Sequence, residues 1–186
     1  MERISVFIDG ENFLYGVKSI NPHYTDFNFN FKKYITSLVK GRKLIDIYYV
    51  IAPLKQELNP ELYTKQQKLL SRLKKEGINV ILCKRTKRDN SDGTQCHKIK
   101  EDDIRLALQM QKDAYDNKFD IALLFSGDGD FVPLPEYLAE KGKKMEIAYF
   151  EGHTAYTLLR VCRFKAFLIN KKILNKFFYR GFTATP

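Results

Sequence analysis

The stretch Phe125-Ser126-Gly127-Asp128-Gly129-Asp130-Phe131 places two carboxylates and two glycines where an apolar run gives way to a turn. Asp120-Ile121-Ala122-Leu123-Leu124-Phe125 precedes it, nearly continuous in hydrophobicity, as a central strand of a parallel sheet is when both faces are covered. Leu134, Tyr137, Leu138 and Gly142 follow and predict a helix ending at a glycine. Its start falls between Asp130 and Pro135, because Pro133 and Pro135 are best tolerated in a first turn. Strand, glycine turn and helix put the turn at the carboxyl edge of a sheet, where α/β proteins hold their ligands. Backbone N–H groups at such a turn favour an anion, whereas Asp128 and Asp130 favour a cation. A metal ion holding a phosphate satisfies both.

The same order of residues opens the chain. Ile4-Ser5-Val6-Phe7-Ile8 reads as a strand that ends in Asp9-Gly10-Glu11-Asn12, with a helix from Phe13 to Ser19. A carboxylate in that position can serve simply as a helix cap. Its place at the end of a strand, next to Gly10, makes Asp9 a candidate functional acid as well. Asn12 has two readings, a cap or a phosphate contact. A third acid comes from a helix predicted over about Ile99 to Asn117, with Ile104, Ala107, Leu108 and Tyr115 on its buried face. This helix follows one strand and precedes another, so its start belongs at the same edge. Asp103 flanks the apolar face, with Asp102 as its competitor, and either is alternatively a favourable charge in a first turn.

The elements between these acids alternate. Asn21 to Asn30 reads as a loop; Phe31, Tyr34, Ile35, Leu38 and Val39 recur at helical spacing, as core rather than as a base-stacking platform. Leu44 to Ile51 is a second strand. Asn59-Pro60-Glu61 starts a helix whose buried stripe is Leu62, Gln66, Leu69, Leu70 and Leu73, ending at Gly77. Ile78 to Cys83 is a third strand. Lys84 to Lys98, containing Arg85, Lys87 and Arg88, follows it and must emerge beside the acids, as a solvated loop or as a flap that contacts phosphates. Lys144 to Phe150 is a fifth strand, and a helical pattern runs from about Thr154 to Val161. The remainder, from Phe164 onward, is apolar and basic: a packed last element, an oligomer contact or a nucleic-acid grip. The alternation predicts an α/β fold, a mostly parallel sheet with helices on both faces.

The totals narrow the function. At 186 residues the chain suits one domain with one core. A formal charge of +10 points to a polyanionic partner, with nucleic acid the leading candidate. No apolar run approaches a membrane span and no signal-peptide pattern precedes the first strand, so a soluble, cytoplasmic protein is expected. Cys83, Cys96 and Cys162 are odd in number and lack paired spacing, which favours reduced thiols over a structural zinc site.

Three segments, Phe7-Ile8-Asp9-Gly10-Glu11-Asn12, Lys100 to Leu108 and Ser126 to Leu134, together resemble the NYN domain, a family of the PIN-like nuclease group that includes the bacterial LabA-like proteins. The likeness runs from about Ile4 to Leu168. It implies a three-layer α/β/α sandwich of five or six strands in order 3-2-1-4-5, with Asp9 and Asp128 side by side. The single domain would span residues 1–186, with 165–186 as a basic, aromatic extension. The resemblance further implies that Asp9, Asp103, Asp128 and Asp130 cluster to bind Mg²⁺ or Mn²⁺ and act as the catalytic set. Two departures are visible: Gln109 stands where many members have an acid, and Cys162 where some have an Asp, which favours one metal over two.

Chemistry supports the same reading. Clustered carboxylates repel one another unless a cation neutralises them. Such an ion can activate water and stabilise charge on phosphoryl oxygens. Asn12 and Ser126 would make polar contacts to substrate or metal water, and Lys84, Arg85, Lys87, Arg88, Lys98 and Lys100 would hold the backbone around the acidic centre. The expected activity is metal-dependent endoribonuclease cleavage, with RNA as substrate, DNA not excluded, and a homo-oligomer left open. Two alternatives remain: an RNA-binding regulator of the same fold without turnover, and, ranked lower, a phosphotransferase of the haloacid dehalogenase kind.

Overall fold

A computed structural model describes residues 1–89, 95–162 and 165–179. Eight strands and seven α-helices alternate along these residues. Six of the strands form one parallel sheet: β1 (Arg3–Asp9), β2 (Lys43–Ile51), β3 (Asn79–Leu82), β6 (Ile121–Phe125), β7 (Lys144–Phe150) and β8 (Ala166–Ile169). Their spatial order is β3-β2-β1-β6-β7-β8. Numbered within the sheet this is 3-2-1-4-5-6, the expected order with a sixth strand added at the edge. The chain steps outward in one direction from β1 and in the other from β6. The switch point therefore lies between these two strands, at the centre of the sheet.

Central strands read as expected. Ile4, Val6, Phe7 and Ile8 in β1 and Leu123 and Leu124 in β6 are fully buried, because both faces of the sheet are covered. On one face, α1 (Gly10–Ile20), α2 (Phe31–Leu38), α3 (Pro60–Lys75) and α7 (Lys171–Phe177) supply Phe13, Val17, Phe31, Tyr34, Ile35, Leu69, Leu73, Leu174 and Phe177 to one core. On the other, α4 (Asp102–Tyr115), α5 (Leu134–Glu140) and α6 (Tyr156–Val161) supply Leu106, Met110, Ala114, Leu134, Leu138 and Leu158 to a second. The result is the three-layer sandwich. The aromatics of α2 belong to the core; Tyr34 meets Phe125 edge-on at 5.9 Å.

Local signals set the helix ends. Asn59 caps α3 by accepting the Leu62 N–H, Pro60 occupies the first turn, and Gly77 ends the helix with φ of +77°. Leu62, expected in the buried stripe, is 40% exposed, and the buried stripe of α3 starts one turn later, at Gln66. The proline-rich segment after Asp128 divides in two: a 3₁₀ turn over Gly129–Phe131, then α5 from Leu134.

Two expectations are corrected. The basic segment after β3 is not a loop. Its backbone forms an antiparallel hairpin, β4 (Lys84–Asp89) with β5 (Gln95–Lys100), and α4 accordingly begins at Asp102 rather than at Ile99. The buried face of α4 is also different. Leu106, Met110, Asp113 and Ala114 face the sheet, and Ile104, Leu108 and Tyr115 are 64%, 63% and 76% exposed.

The C-terminal segment packs as part of the sandwich. Asn30 N–H bonds the Phe177 carbonyl, Tyr179 N–H bonds the Asn28 carbonyl, and Tyr179 Oη donates to Glu76 Oε1 at 2.9 Å.

Candidate metal centre

Register brings the first two acids together. Ile8 lies opposite Phe125 across the β1–β6 pair, so the next residues, Asp9 and Ser126, emerge side by side at the carboxyl edge. Ser126 Oγ donates to Asp9 Oδ2 at 3.0 Å, and Asp9 Oδ1 accepts the Asn12 N–H at 3.0 Å. Asp9 therefore ends β1, caps α1 and is held at both oxygens. Each oxygen keeps a further lone pair for a ligand. Ser126, only 2% exposed, lies beneath the pocket and accepts the Asp128 N–H at 3.1 Å. Its role in the structure is to orient the two acids.

Close backbone approach makes this arrangement possible. A Cβ on Gly10 would overlap the Val50 carbonyl and meet the Tyr49 ring at 2.8 Å. Gly127 lies against the His153 carbonyl and Thr154, and its own carbonyl accepts the Ala155 N–H at 2.8 Å. Asn12 Oδ1 accepts the Gly127 N–H at 3.1 Å, tying the start of α1 to the β6 turn. The carboxamide oxygen of Asn12 is thus structural, and its nitrogen is the part left for a ligand.

The third component is the start of α4. Asp9, Asp102, Asp103 and Asp128 line one pocket of about 320 Å³, with Glu11, Asn12, Leu14, Tyr15 and Lys18. Sequence reasoning set Asp102 and Asp103 against each other; both reach the pocket. Asp130 is exposed and does not line it, although its N–H supports Asp128 by donating to Oδ1 at 3.0 Å and its charge is felt at Asp103. Glu101, just before this helix, adopts the left-handed region with φ of +77° and pairs with Arg105 at 2.9 Å. Lys84 is exposed, 3.8 Å from Glu101 Oε1, outside the pocket wall. The side chains of Arg85, Lys87, Arg88, Lys98 and Lys100 lie outside the described residues, though their backbone belongs to the hairpin that leads directly into α4.

Electrostatics reflects the convergence. Burial, reinforced by the charge of Asp103, pushes the Asp9 carboxyl up to about 7 against the opposing hydrogen bonds from Asn12 and Ser126. Burial, then the charges of Asp102, Asp128 and Asp130, pushes Asp103 up to about 6. Carboxylates in this state are short of positive charge.

Among the described residues, no three His, Cys, Asp or Glu side chains form a ready-made metal cage. The acids instead surround an open pocket. That suits a hard cation which keeps several waters and takes only a few carboxylate oxygens from the protein, as Mg²⁺ does. Gln109 is directed elsewhere: its Nε2 donates to Asp113 Oδ1 at 2.9 Å, further along α4. Cys162 is a buried free thiol. Among the described residues, no helix is long and apolar enough to cross a membrane.

Comparison with known proteins follows this geometry. Residues 3–169 match the NYN domain. A crystal structure of a protein of unknown function from Vibrio parahaemolyticus superposes with a TM-score of 0.69 at 20% identity, covering 96% of each chain, which shows a shared fold. No curated protein matches the sequence.

Proposed function

Because the chain belongs to the NYN domain family, a family of PIN-like nucleases, we propose that it is a divalent-metal-dependent endoribonuclease whose centre is the acidic pocket at the switch point. The observation that carries this reading is the meeting of Asp9, Asp102, Asp103 and Asp128 from three separate elements, with the proton affinities of Asp9 and Asp103 raised by burial and by the charges of their neighbours. Asp9, Asp103 and Asp128 would hold Mg²⁺ or Mn²⁺ directly, with Asp102 completing the charge directly or through water and Asp130 adding negative charge from outside the pocket.

Bound there, the ion supplies polarisation of a phosphoryl oxygen and a more acidic water. The protein's own groups do the rest. Ser126 bonds the Asp9 carboxylate and the Asp128 backbone N–H, and so would hold the ends of the two strands in register for the two acids. Asn12 clamps the glycine turn to α1 and presents its amide nitrogen as a donor to a phosphate oxygen. The backbone hairpin of β4 and β5 leads directly into α4, and its basic residues would neutralise the strand on either side of the scissile bond. Hydrolysis then adds water across the P–O bond: the water oxygen bonds to phosphorus and the leaving sugar oxygen takes a proton.

The test is incubation of the purified protein with end-labelled single-stranded and hairpin RNA, and with matched DNA, in Mn²⁺, Mg²⁺ or EDTA. Cleavage of RNA that requires the metal supports the reading, and no cleavage of any substrate refutes it. The place of Gln109 and Cys162 outside the acidic set favours one second reading, an RNA-binding protein without turnover. Tight RNA binding without cleavage would select it.

A further inference from the structure

The pocket extends beyond its acids. It continues along α1 past Asn12 to Leu14, Tyr15 and Lys18. On this helix Phe13, Gly16 and Val17 face the core, which turns Glu11, Tyr15 and Lys18 outward at i, i+4 and i+7 spacing. Tyr15 is 64% exposed, yet it is not a free surface ring. His153, from the segment that packs on Gly127, meets it edge to face at 5.0 Å and 89°. The ring is braced on one side by the same segment that supports the catalytic turn, and stands open to the groove on the other. An exposed aromatic fixed in a groove that starts at a phosphate-cleaving centre and ends at a lysine has the composition of a single-strand binding track. From Asp9 to Lys18 the helix rises about 13 Å, enough for the groove to hold chain beyond the phosphate at the acids. Glu11 lines the first turn and disfavours a phosphate there. The cationic end at Lys18 is where the next phosphate belongs.

We propose that this groove along α1 binds the single-stranded nucleic acid adjoining the acidic centre, with a base stacked on Tyr15 and a phosphate against Lys18. The proposal rests on the nucleic-acid reading of the site but not on turnover. It is tested by fluorescence anisotropy of a 5′-labelled RNA decamer in EDTA, which prevents metal-dependent cleavage, with an abasic ribose-phosphate decamer of equal charge as the second ligand. Tyr15→Ala is expected to weaken binding of the RNA by about tenfold and of the abasic strand hardly at all, while Tyr15→Phe restores RNA binding, as loss and recovery of one stacking platform require. Lys18→Ala is expected to weaken both ligands and to lower the salt dependence by about one phosphate contact. Equal RNA binding by wild type and Tyr15→Ala overturns the proposal, as does an equal loss on the abasic strand. If no variant, wild type included, cleaves RNA in Mn²⁺ but the Tyr15 dependence of binding holds, the catalytic reading fails and the groove stands.

Discussion

Ser126 Oγ donates to Asp9 Oδ2 at 3.0 Å across the ends of two adjacent parallel strands, and the same oxygen accepts the Asp128 N–H. One buried hydroxyl thus aligns two acids that are 119 residues apart in sequence. Its hydrogen bond also opposes the effect of burial on Asp9. Ser126→Ala should therefore raise the proton affinity of Asp9 further. The acid limb of the pH–rate profile is expected to move up by about one unit, since a hydrogen bond to a charged group contributes about 1.5–3 kcal/mol. The rate at pH 7 should fall by roughly fivefold and recover by pH 9. An unmoved acid limb would show that Ser126 does not act through Asp9.

The raised acids make metal-free stability depend on pH. Asp9 at about 7 and Asp103 at about 6 hold protons more tightly in the folded chain than at their ordinary value of 3.8. From pH 3.8 upward the folded state binds more protons than the unfolded, so these groups lower stability as pH rises, and the loss is complete above pH 7. A cation in the pocket reverses it. Mn²⁺ is expected to raise the melting temperature markedly at pH 8 and little at pH 5, and Asp9→Asn should diminish both the pH-dependent loss and the response to Mn²⁺. Thermal denaturation at the two pH values, with EDTA or Mn²⁺, makes the comparison.

Near the pocket, Tyr49 Oη donates to Asp26 Oδ2 at 2.6 Å, and among the described residues the buried Asp26 Oδ1 has no hydrogen-bond partner. Burial pushes Asp26 up to about 6. Tyr49→Phe removes this side-chain donor and should cost about 1–3 kcal/mol in denaturant unfolding. Asp26→Asn retains an acceptor for Tyr49 while removing the charge, so its cost should be smaller and its stability should fall less than wild type between pH 4 and 7. A larger loss in Asp26→Asn than in Tyr49→Phe would contradict this account.

On the same face of the sheet, Arg42 and Glu146 form a buried ion pair at 2.7 Å, with side chains 8% and 4% exposed. Removing one partner strands a charge, so Arg42→Met should destabilise by about 3–5 kcal/mol. Combining it with Glu146→Leu should recover most of that loss. Equilibrium unfolding of the two single variants and the double variant closes the cycle, and additive losses would sink the prediction.

The sheet was legible because its central strands are nearly uniform runs of apolar residues, and the order of the strands followed from resemblance. Asp9, Asp103 and Asp128 were legible as acids at the ends of elements that share one edge. Two things were hidden. α4 carries two apolar stripes of the same period, Leu106-Met110-Ala114 and Ile104-Leu108-Tyr115, and packing rather than periodicity selects the first. The buried Asp113 disguised it, since a carboxylate reads as surface until Lys118 and Gln109 are seen to satisfy one of its oxygens. The β4–β5 hairpin was hidden for a different reason. It is held by backbone pairing between charged strands, so no alternation of apolar residues marks it.

The most direct test of the central claim compares wild type with Asp9→Asn and Asp128→Asn, each shown to be folded by circular dichroism, for cleavage of end-labelled RNA in Mn²⁺. Loss of at least a hundredfold in both variants, with wild-type activity abolished by EDTA, is the predicted result. Cleavage by both variants at the wild-type rate would place the chemistry elsewhere and contradict the account.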